Sequence, residues 1–98
     1  MAARLIRWSE AALLDIDEVC AYVSQEKPEN AAIMAGKIKK SVKGILDDPY
    51  IGRKIPEYNQ DHLRERIVDG YRILYRIGPD VIEIVAIFSG RNRLPQTL

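Results

Sequence analysis

Four arginines lie in one short stretch of the sequence where they could bind an anion. They are Arg64, Arg66, Arg72 and Arg76. A guanidinium group presents a rigid fork of N–H donors that matches the oxygens of a phosphate or a carboxylate. These arginines could serve catalysis, bind a partner or only solubilise a sheet, so the interpretation depends on the elements that position them.

A β-hairpin is predicted to carry these arginines. Two runs rich in Ile, Val and Tyr flank Asp69-Gly70, a dipeptide that readily supplies the positive φ angles of a tight hairpin turn. In the second run, residues 71–77, tyrosine and isoleucine alternate with Arg72, Leu74 and Arg76. Because strand side chains point to opposite faces with a period of two, we expect one face to enter a core and the other to show arginines to solvent.

The composition indicates one small globular domain over residues 1–98. Apolar residues make up 47% of the chain and charged residues 30%, which is the balance of a folded protein. The net charge of +1 is too small to argue for nucleic-acid binding by itself. The single cysteine, Cys20, excludes an intramolecular disulfide, and no Cys/His cluster has metal-ligand spacing. We therefore expect no metal and no cofactor.

The sequence lacks both a membrane-spanning run and a signal peptide, and this bears on where the protein is located in the cell. No apolar run approaches the roughly 20 residues needed to span a bilayer. The N-terminal residues lack the apolar region, roughly 7–15 residues long, of a signal peptide. We expect a cytoplasmic protein that has no membrane partner.

The periodicity of the chain predicts the order strand, helix, helix, strand, strand, strand. Arg4 to Trp8 form the opening strand, and Ser9 caps a first helix of about 16 residues. The apolar stripe of this helix contains Leu13, Ile16, Cys20 and Val23, widened by Ala12 and Val19. Pro28 suits the first turn of a second helix whose apolar stripe runs from Ala31 to Ile45. The short link between the helices makes them an αα-hairpin.

The rest of the chain completes a sheet. Residues 49–63 show no period and are predicted to form a surface loop, whereas residues 81–88 are nearly all apolar and suit a central strand. From Ser89 a polar, basic tail leaves the sheet. The fold class is therefore α+β, with an N-terminal strand and an antiparallel αα-hairpin packed on a mainly antiparallel sheet of about four strands.

Three apolar side chains fall outside the predicted core stripes of the helices. On a helical wheel, Leu14 and Tyr22 lie off the stripe of the first helix, and Ile33 lies off that of the second. Extra apolar residues on an αα-hairpin form a surface that a partner segment could cover. We expect these three residues to bind a partner.

Four segments in this order resemble the RelE/ParE superfamily of bacterial toxins. They are residues 12–16 (Ala-Leu-Leu-Asp-Ile), 48–53 (Asp-Pro-Tyr-Ile-Gly-Arg), 71–75 (Tyr-Arg-Ile-Leu-Tyr) and 82–91 (Ile-Glu-Ile-Val-Ala-Ile-Phe-Ser-Gly-Arg). The resemblance extends from Leu5 to about Arg93. It implies the toxin of a type II toxin–antitoxin module, in a hetero-oligomer with a cognate antitoxin of the ParD-like, ribbon-helix-helix kind. The off-stripe residues Leu14, Tyr22 and Ile33 would then bind that antitoxin.

The superfamily has two activities, and both stay open at this point. RelE-like members cleave mRNA at the ribosome, and Arg66 and Arg72 fall where family strand arginines sit. Metal-free RNA cleavage also needs an acid and a base, but many relatives carry His where this chain has Ser89. A serine hydroxyl is a poor base at neutral pH unless a neighbouring group activates it.

This incomplete acid–base set favours the ParE-like activity, which is inhibition of DNA gyrase by binding rather than by catalysis. Under that reading the target-binding residues are Arg72, Arg91 and Arg93. We then expect Arg72→Ala to leave the fold intact and reduce toxicity. The ribosome-dependent endoribonuclease is the alternative, and a third possibility is a homologue that only binds an antitoxin.

Overall fold

The computed structural model describes residues 4–90 and 92–98. The elements in chain order are β1 (Leu5–Trp8), α1 (Glu10–Ser24), α2 (Asn30–Asp47), a 3₁₀ turn (Pro49–Ile51), β2 (Arg53–Lys54), β3 (Leu63–Val68), β4 (Tyr71–Ile77) and β5 (Val81–Ser89). This order agrees with the predicted one, apart from the short β2. Arg91 lies outside the described residues.

The five strands form one sheet in the order β1-β5-β4-β3-β2. β1 runs parallel to β5, and the other neighbours are antiparallel. The predicted fold class is therefore confirmed, with five strands rather than about four. The added strand, β2, is only two residues long and lies in the segment predicted to be a loop. A strand of two residues is too short to show a period in the sequence.

Ser9 joins the first helix to the centre of the sheet. Its hydroxyl accepts a hydrogen bond from the Ala12 backbone N–H at 3.0 Å and donates one to the Val85 carbonyl at 2.7 Å. The predicted N-cap is therefore confirmed, because the side chain satisfies one of the free N–H groups at the start of α1. The same hydroxyl fixes the direction in which α1 leaves the sheet.

The larger hydrophobic core lies between the helices and one face of the sheet. Its buried members are Ala12, Val19, Met34, Ile38, Val42, Ile45, Ile73, Tyr75, Ile77, Ile82, Ile84 and Ile87. The prediction for α2 is confirmed, but the assignment of Leu13 to the core stripe of α1 is wrong, since Leu13 is 51% exposed. Ala12 and Val19 of the predicted stripe are buried, and Ile16 and Val23 are partly buried against the same core. Leu13 is therefore the member of the predicted stripe that faces away from the core.

A smaller core covers the opposite face of the sheet. Ile55 and Leu94 pack there on Leu63 of β3 and Leu74 of β4, with Tyr58 at the edge. The hydroxyl of Tyr58 donates a hydrogen bond to the Pro95 carbonyl. The loop before β3 and the C-terminal tail are therefore packed parts of the fold, and the tail does not leave the sheet as predicted.

The predicted hairpin is confirmed in both its turn and its strands. Asp69 has a φ of 49° and Gly70 a φ of 83°, the two positive angles of a type I′ turn, which matches the twist of the flanking strands. The turn sets the register of the hairpin, so that Val68 pairs with Tyr71, and Ile67 with Arg72.

Gly52 lies where the chain passes closest to the sheet. Its backbone N–H donates to the Tyr75 hydroxyl at 3.0 Å, and that hydroxyl donates to the Pro49 carbonyl at 2.6 Å. A Cβ atom at position 52 would lie 2.5 Å from both the Glu65 carbonyl oxygen and the Tyr75 hydroxyl. Only glycine fits there, which gives a physical reason for the glycine in the segment 48–53.

We predict that Gly52→Ala lowers the free energy of unfolding by about 2 kcal/mol, since the added methyl group overpacks a rigid contact. Gly36→Ala is the matched control, because a Cβ atom there meets nothing within 4 Å. In the middle of α2 that change should raise stability by about 0.5–1 kcal/mol. Urea unfolding of the two variants measures both effects, and equal stability of the two would contradict the packing of Gly52.

Candidate functional site

Arg72 is held by two glutamates on the sheet face opposite the helices. Its Nε donates to Glu65 Oε1 at 2.6 Å, and its two terminal nitrogens donate to Glu57 Oε2 and Oε1 at 2.7 and 2.8 Å. The other oxygen of Glu65 accepts from Arg53 Nε at 2.6 Å. We call Arg53, Glu57, Glu65 and Arg72 the arginine–glutamate cluster.

The sequence positions these four side chains through strand register and one loop. Arg53 on β2 pairs with Glu65 on β3, and cross-strand partners share a face of the sheet. Arg72 on β4 pairs with Ile67, two residues beyond Glu65 on the same face. Glu57 comes from the loop that carries Ile55 of the smaller core. The cluster therefore links three strands to the packed loop.

The alternating pattern predicted a row of solvent-exposed arginines, but Arg72 is not exposed in this way. The residue is only 9% exposed, and the side chain of Glu65 is fully buried. The expectation that Arg72→Ala leaves the fold intact is revised for the same reason. Removing this guanidinium would leave the buried Glu65 carboxylate with Arg53 as its one remaining partner in the cluster.

The cluster is electrically balanced, with two guanidinium groups and two carboxylates. The hydrogen bonds from Arg72 lower the pKa of Glu57 from 4.5 to about 2, and the hydrogen bonds to Glu57 raise the pKa of Arg72 despite its burial. Both groups are therefore charged at neutral pH. A phosphate entering the adjacent groove, which has a volume of about 420 Å³, would have to compete with carboxylates already bound to Arg72.

Arg66, the other candidate for a phosphate clamp, lies on the opposite face of the sheet. It pairs with Ile73, which belongs to the larger core under the helices. Arg72 pairs with Phe88, which packs on the smaller core. The structure therefore does not bring Arg66 and Arg72 together. The two-residue turn at Asp69-Gly70 already predicts this separation, because it pairs residue 66 with residue 73 and residue 67 with residue 72.

The candidate acids and bases are not assembled around Arg72 either. Burial raises the pKa of the Tyr75 phenol, and its hydroxyl is held by Gly52 and Pro49 on the helix side of the sheet. His62 is exposed and precedes β3, where Leu63 pairs with Arg76. This end of the hairpin is about 13 Å along β4 from Arg72, at about 3.3 Å per residue.

The C-terminal residues predicted to bind a target are described in part. Arg93 is exposed and precedes the buried Leu94. Arg91 lies outside the described residues. Because Leu94 is anchored in the smaller core, Arg93 is presented from a fixed segment of the tail on the same side of the sheet as Arg72.

The three residues predicted to bind a partner on the αα-hairpin are all exposed. Leu14 is 64% exposed, Tyr22 67% and Ile33 53%. Tyr22 also lines a groove of about 610 Å³ in which Asp15 and Tyr71 take part. Leu13, which the sequence places in the core, is also 51% exposed.

The described residues, 4–90 and 92–98, lack a candidate metal site and a helix that could span a membrane. They contain no group of three or more His, Cys, Asp or Glu side chains that could hold a metal ion. Within the same ranges, every helix is too short or too polar to cross a membrane.

We predict that Arg72→Ala lowers the free energy of unfolding by about 3 kcal/mol, because it leaves a buried carboxylate poorly compensated. Arg76→Ala is the matched control on the same strand. Arg76 is 39% exposed and pairs with Glu83 at 3.0 Å, so its loss should cost less than about 1 kcal/mol. Urea unfolding at pH 7 measures both, and similar losses in the two variants would argue against the cluster.

The depressed pKa of Glu57 also predicts a pH dependence. Its contribution to stability is fully present above the unfolded pKa of 4.5 and is lost as the pH falls toward the folded pKa of about 2. Glu57→Gln should therefore lose stability less steeply than the unmodified protein between pH 5 and pH 2. Glu26→Gln, at an exposed glutamate in the link between the helices, should follow the unmodified protein. Parallel pH curves for all three proteins would contradict this prediction.

Comparison with known proteins relates this arrangement to solved folds. The chain aligns with a ParDE toxin–antitoxin system from P. aeruginosa at a TM-score of 0.74, with 19% identity over 89% of this chain and 96% of that one. It aligns with the YoeB dimer structure from Staphylococcus aureus at a TM-score of 0.59, with 24% identity over 89% and 97% of the two chains. At these identities the likeness shows the fold.

Sequence comparison identifies the family. A putative toxin, Y4kP of Sinorhizobium fredii (strain NBRC 101917 / NGR234), is 32% identical over 100 residues and is matched along the full length of both chains. The family model described as the ParE toxin of the type II toxin–antitoxin system parDE matches residues 6–94. The chain therefore belongs to the ParE toxin family of type II toxin–antitoxin systems.

Proposed function

We propose that this toxin acts by binding and poisoning DNA gyrase rather than by cutting RNA. The observation that carries the proposal is the state of Arg72, whose guanidinium is bound by Glu65 and Glu57 at 2.6–2.8 Å. A phosphate clamp needs a cation with free donors and a positive field around it. The arginine–glutamate cluster offers a balanced set of charges instead.

The positions of the other candidate catalytic groups also favour binding over RNA cleavage. RNA cleavage without a metal needs cationic groups, an acid and a base around one phosphate. In this fold Arg66 and Arg72 face opposite sides of the sheet. The Tyr75 hydroxyl lies with the core under the helices. A toxin that acts by binding needs an exposed contact surface but no such assembly.

We infer that the contact with gyrase lies on the sheet face that carries the tail. Arg93 is exposed there, and Arg91 precedes it in the sequence. The smaller core anchors this segment through Leu94, so less conformational entropy is lost when it binds. Arg72 contributes chiefly by holding Glu57 and its loop, and the 9% of its surface that is exposed limits its own contact with the target.

We also infer a cognate antitoxin of the ParD-like, ribbon-helix-helix kind as the partner. Family membership implies an antitoxin, and one of the similar solved structures is a ParDE system. The exposed apolar residues Leu14, Tyr22 and Ile33 form the surface on the αα-hairpin that it would cover. The complex is then a hetero-oligomer.

Expression without the antitoxin tests the activity. We predict gyrase–DNA cleavage complexes, an SOS response and filamentous cells, with translation initially unaffected. Rapid loss of translation with mRNA cuts at the ribosome would establish the ribonuclease instead. Growth at the normal rate in the absence of any antitoxin gene would contradict both activities.

A variant at the tail connects this test to the structure. Arg93→Ala should unfold at the same denaturant concentration as the unmodified toxin, because the side chain is exposed, but it should give fewer gyrase cleavage complexes. Lys54→Ala, at an exposed position on β2, is the control and should keep full activity. Equal activity of the two folded variants would remove Arg93 from the proposed contact.

A further inference from the structure

A second charged groove lies on the other side of the molecule, between α2 and β3. It has a volume of about 480 Å³ and is lined by the basic side chains of Lys37, Lys40 and Arg66 together with Ser41. We call these four residues the basic groove. Neither the tail contact nor the exposed residues of the αα-hairpin account for it.

The basic groove carries an excess of positive charge. Asp69 is the carboxylate among its lining residues, so three cations and one anion leave a net charge of +2. Asp69 accepts a hydrogen bond from Lys37 at 2.8 Å, but the two side chains are 47% and 51% exposed. Such an exposed ion pair is weak and exchanges readily. Within residues 4–90 and 92–98, Lys40 and Arg66 have no ion-pair partner.

Ser41 adds a hydroxyl that lacks a partner. Its Oγ atom is buried and makes no hydrogen bond to any described residue. Buried polar side-chain atoms nearly always have such a partner, and a hydroxyl can donate to an acceptor oxygen. Because the Oγ atom is buried, it can donate to an anionic oxygen ligand only after its side chain turns toward the groove, and the three cations are the primary contacts of such a ligand.

The apolar rim of the basic groove favours a protein ligand over a nucleic acid. Ile51, which also lines it, is 48% exposed. Surfaces that bind nucleic acid are more polar and more strongly basic than this. A peptide that carries a carboxylate beside an apolar side chain would bury Ile51 and pair with the cations.

The basic groove continues the exposed surface of α2. Ile33, Lys37, Lys40 and Gly44 follow one another at intervals of three or four residues, so they lie along one side of the helix. At Gly44 an added Cβ atom would meet nothing within 4 Å, so the space above this turn is open. A chain that covers Ile33 and continues along α2 would reach the basic groove.

We propose that the basic groove binds an acidic side chain of the antitoxin, an Asp or Glu flanked by apolar residues, as the antitoxin passes from α2 to β3. This inference rests on the proposed antitoxin contact at Ile33. It adds a specific polar interaction to an otherwise apolar surface, and such interactions contribute more to partner choice than apolar contacts do.

The test is the affinity of the toxin for the antitoxin encoded beside it, measured by calorimetry at low and high salt. The double variant Lys40→Gln/Arg66→Gln should bind about tenfold more weakly and with less salt dependence, because it removes the cations that face the carboxylate. The matched control is Lys39→Gln/Lys43→Gln, which removes two exposed charges of the same helix outside the groove. It should change the affinity less than about twofold.

Gly44→Leu supplies a second variant that keeps every charge. Its side chain would fill the open space above the groove and should also weaken binding, while the thermal midpoint of the free toxin shows whether each variant folds. Unchanged antitoxin affinity in both groove variants would overturn the proposal.

Ile33→Ser separates this proposal from the proposed function. If Ile33→Ser weakens binding and the groove variants do not, the groove proposal fails while the antitoxin contact on the αα-hairpin stands. If none of these variants weakens binding, both fail. If Lys40→Gln/Arg66→Gln keeps its antitoxin affinity but loses binding to a 20-base-pair DNA duplex, the groove binds nucleic acid and the proposal is overturned.

Discussion

The buried carboxylate of Glu65 determines how the sheet face opposite the helices is built. Its side chain is fully buried, and each of its oxygens accepts a hydrogen bond at 2.6 Å, one from Arg53 and one from Arg72. An unpaired carboxylate at this depth would cost several kcal/mol, so the two arginines must stay in place. Arg72 in turn holds Glu57, and this fixes the loop that brings Ile55 into the smaller core.

Because the arginines near Glu65 are paired, the two faces of the toxin differ in their unpaired positive charge. On the tail side, the cationic charge near Arg72 is neutralised by carboxylates of the chain itself, and the exposed Arg93 lies beyond the cluster. On the helix side, Lys40 and Arg66 remain without ion-pair partners among the described residues, next to the exposed Ile51. We infer that a partner's charge is recognised at α2 and that the target is bound at the tail.

Much of the fold could be predicted from the sequence, because periodicity and turn chemistry are local. The hairpin turn at Asp69-Gly70, the cap at Ser9 and the core stripe of α2 are local patterns of this kind. The packing of Leu94 and the exposure of Leu13 depend on contacts between distant segments, which a period does not encode.

The candidate site was less predictable for a related reason. The strand pattern places Arg72 on one face but does not show that Glu57, fifteen residues away, returns to bind it. The separation of Arg66 from Arg72, in contrast, follows from the two-residue turn and could have been read from the sequence.

Arg72 is bound by Glu65 and is therefore not free to clamp a phosphate. The most direct test is the free energy of unfolding of Arg72→Met, Glu65→Met and the double variant in urea at pH 7. Either single change should destabilise the protein, by about 3 kcal/mol for Arg72→Met, because it leaves a charge without its partner. The double variant should be more stable than the sum of the two losses implies, by at least about 1.5 kcal/mol. Losses that add within about 0.5 kcal/mol would contradict the claim.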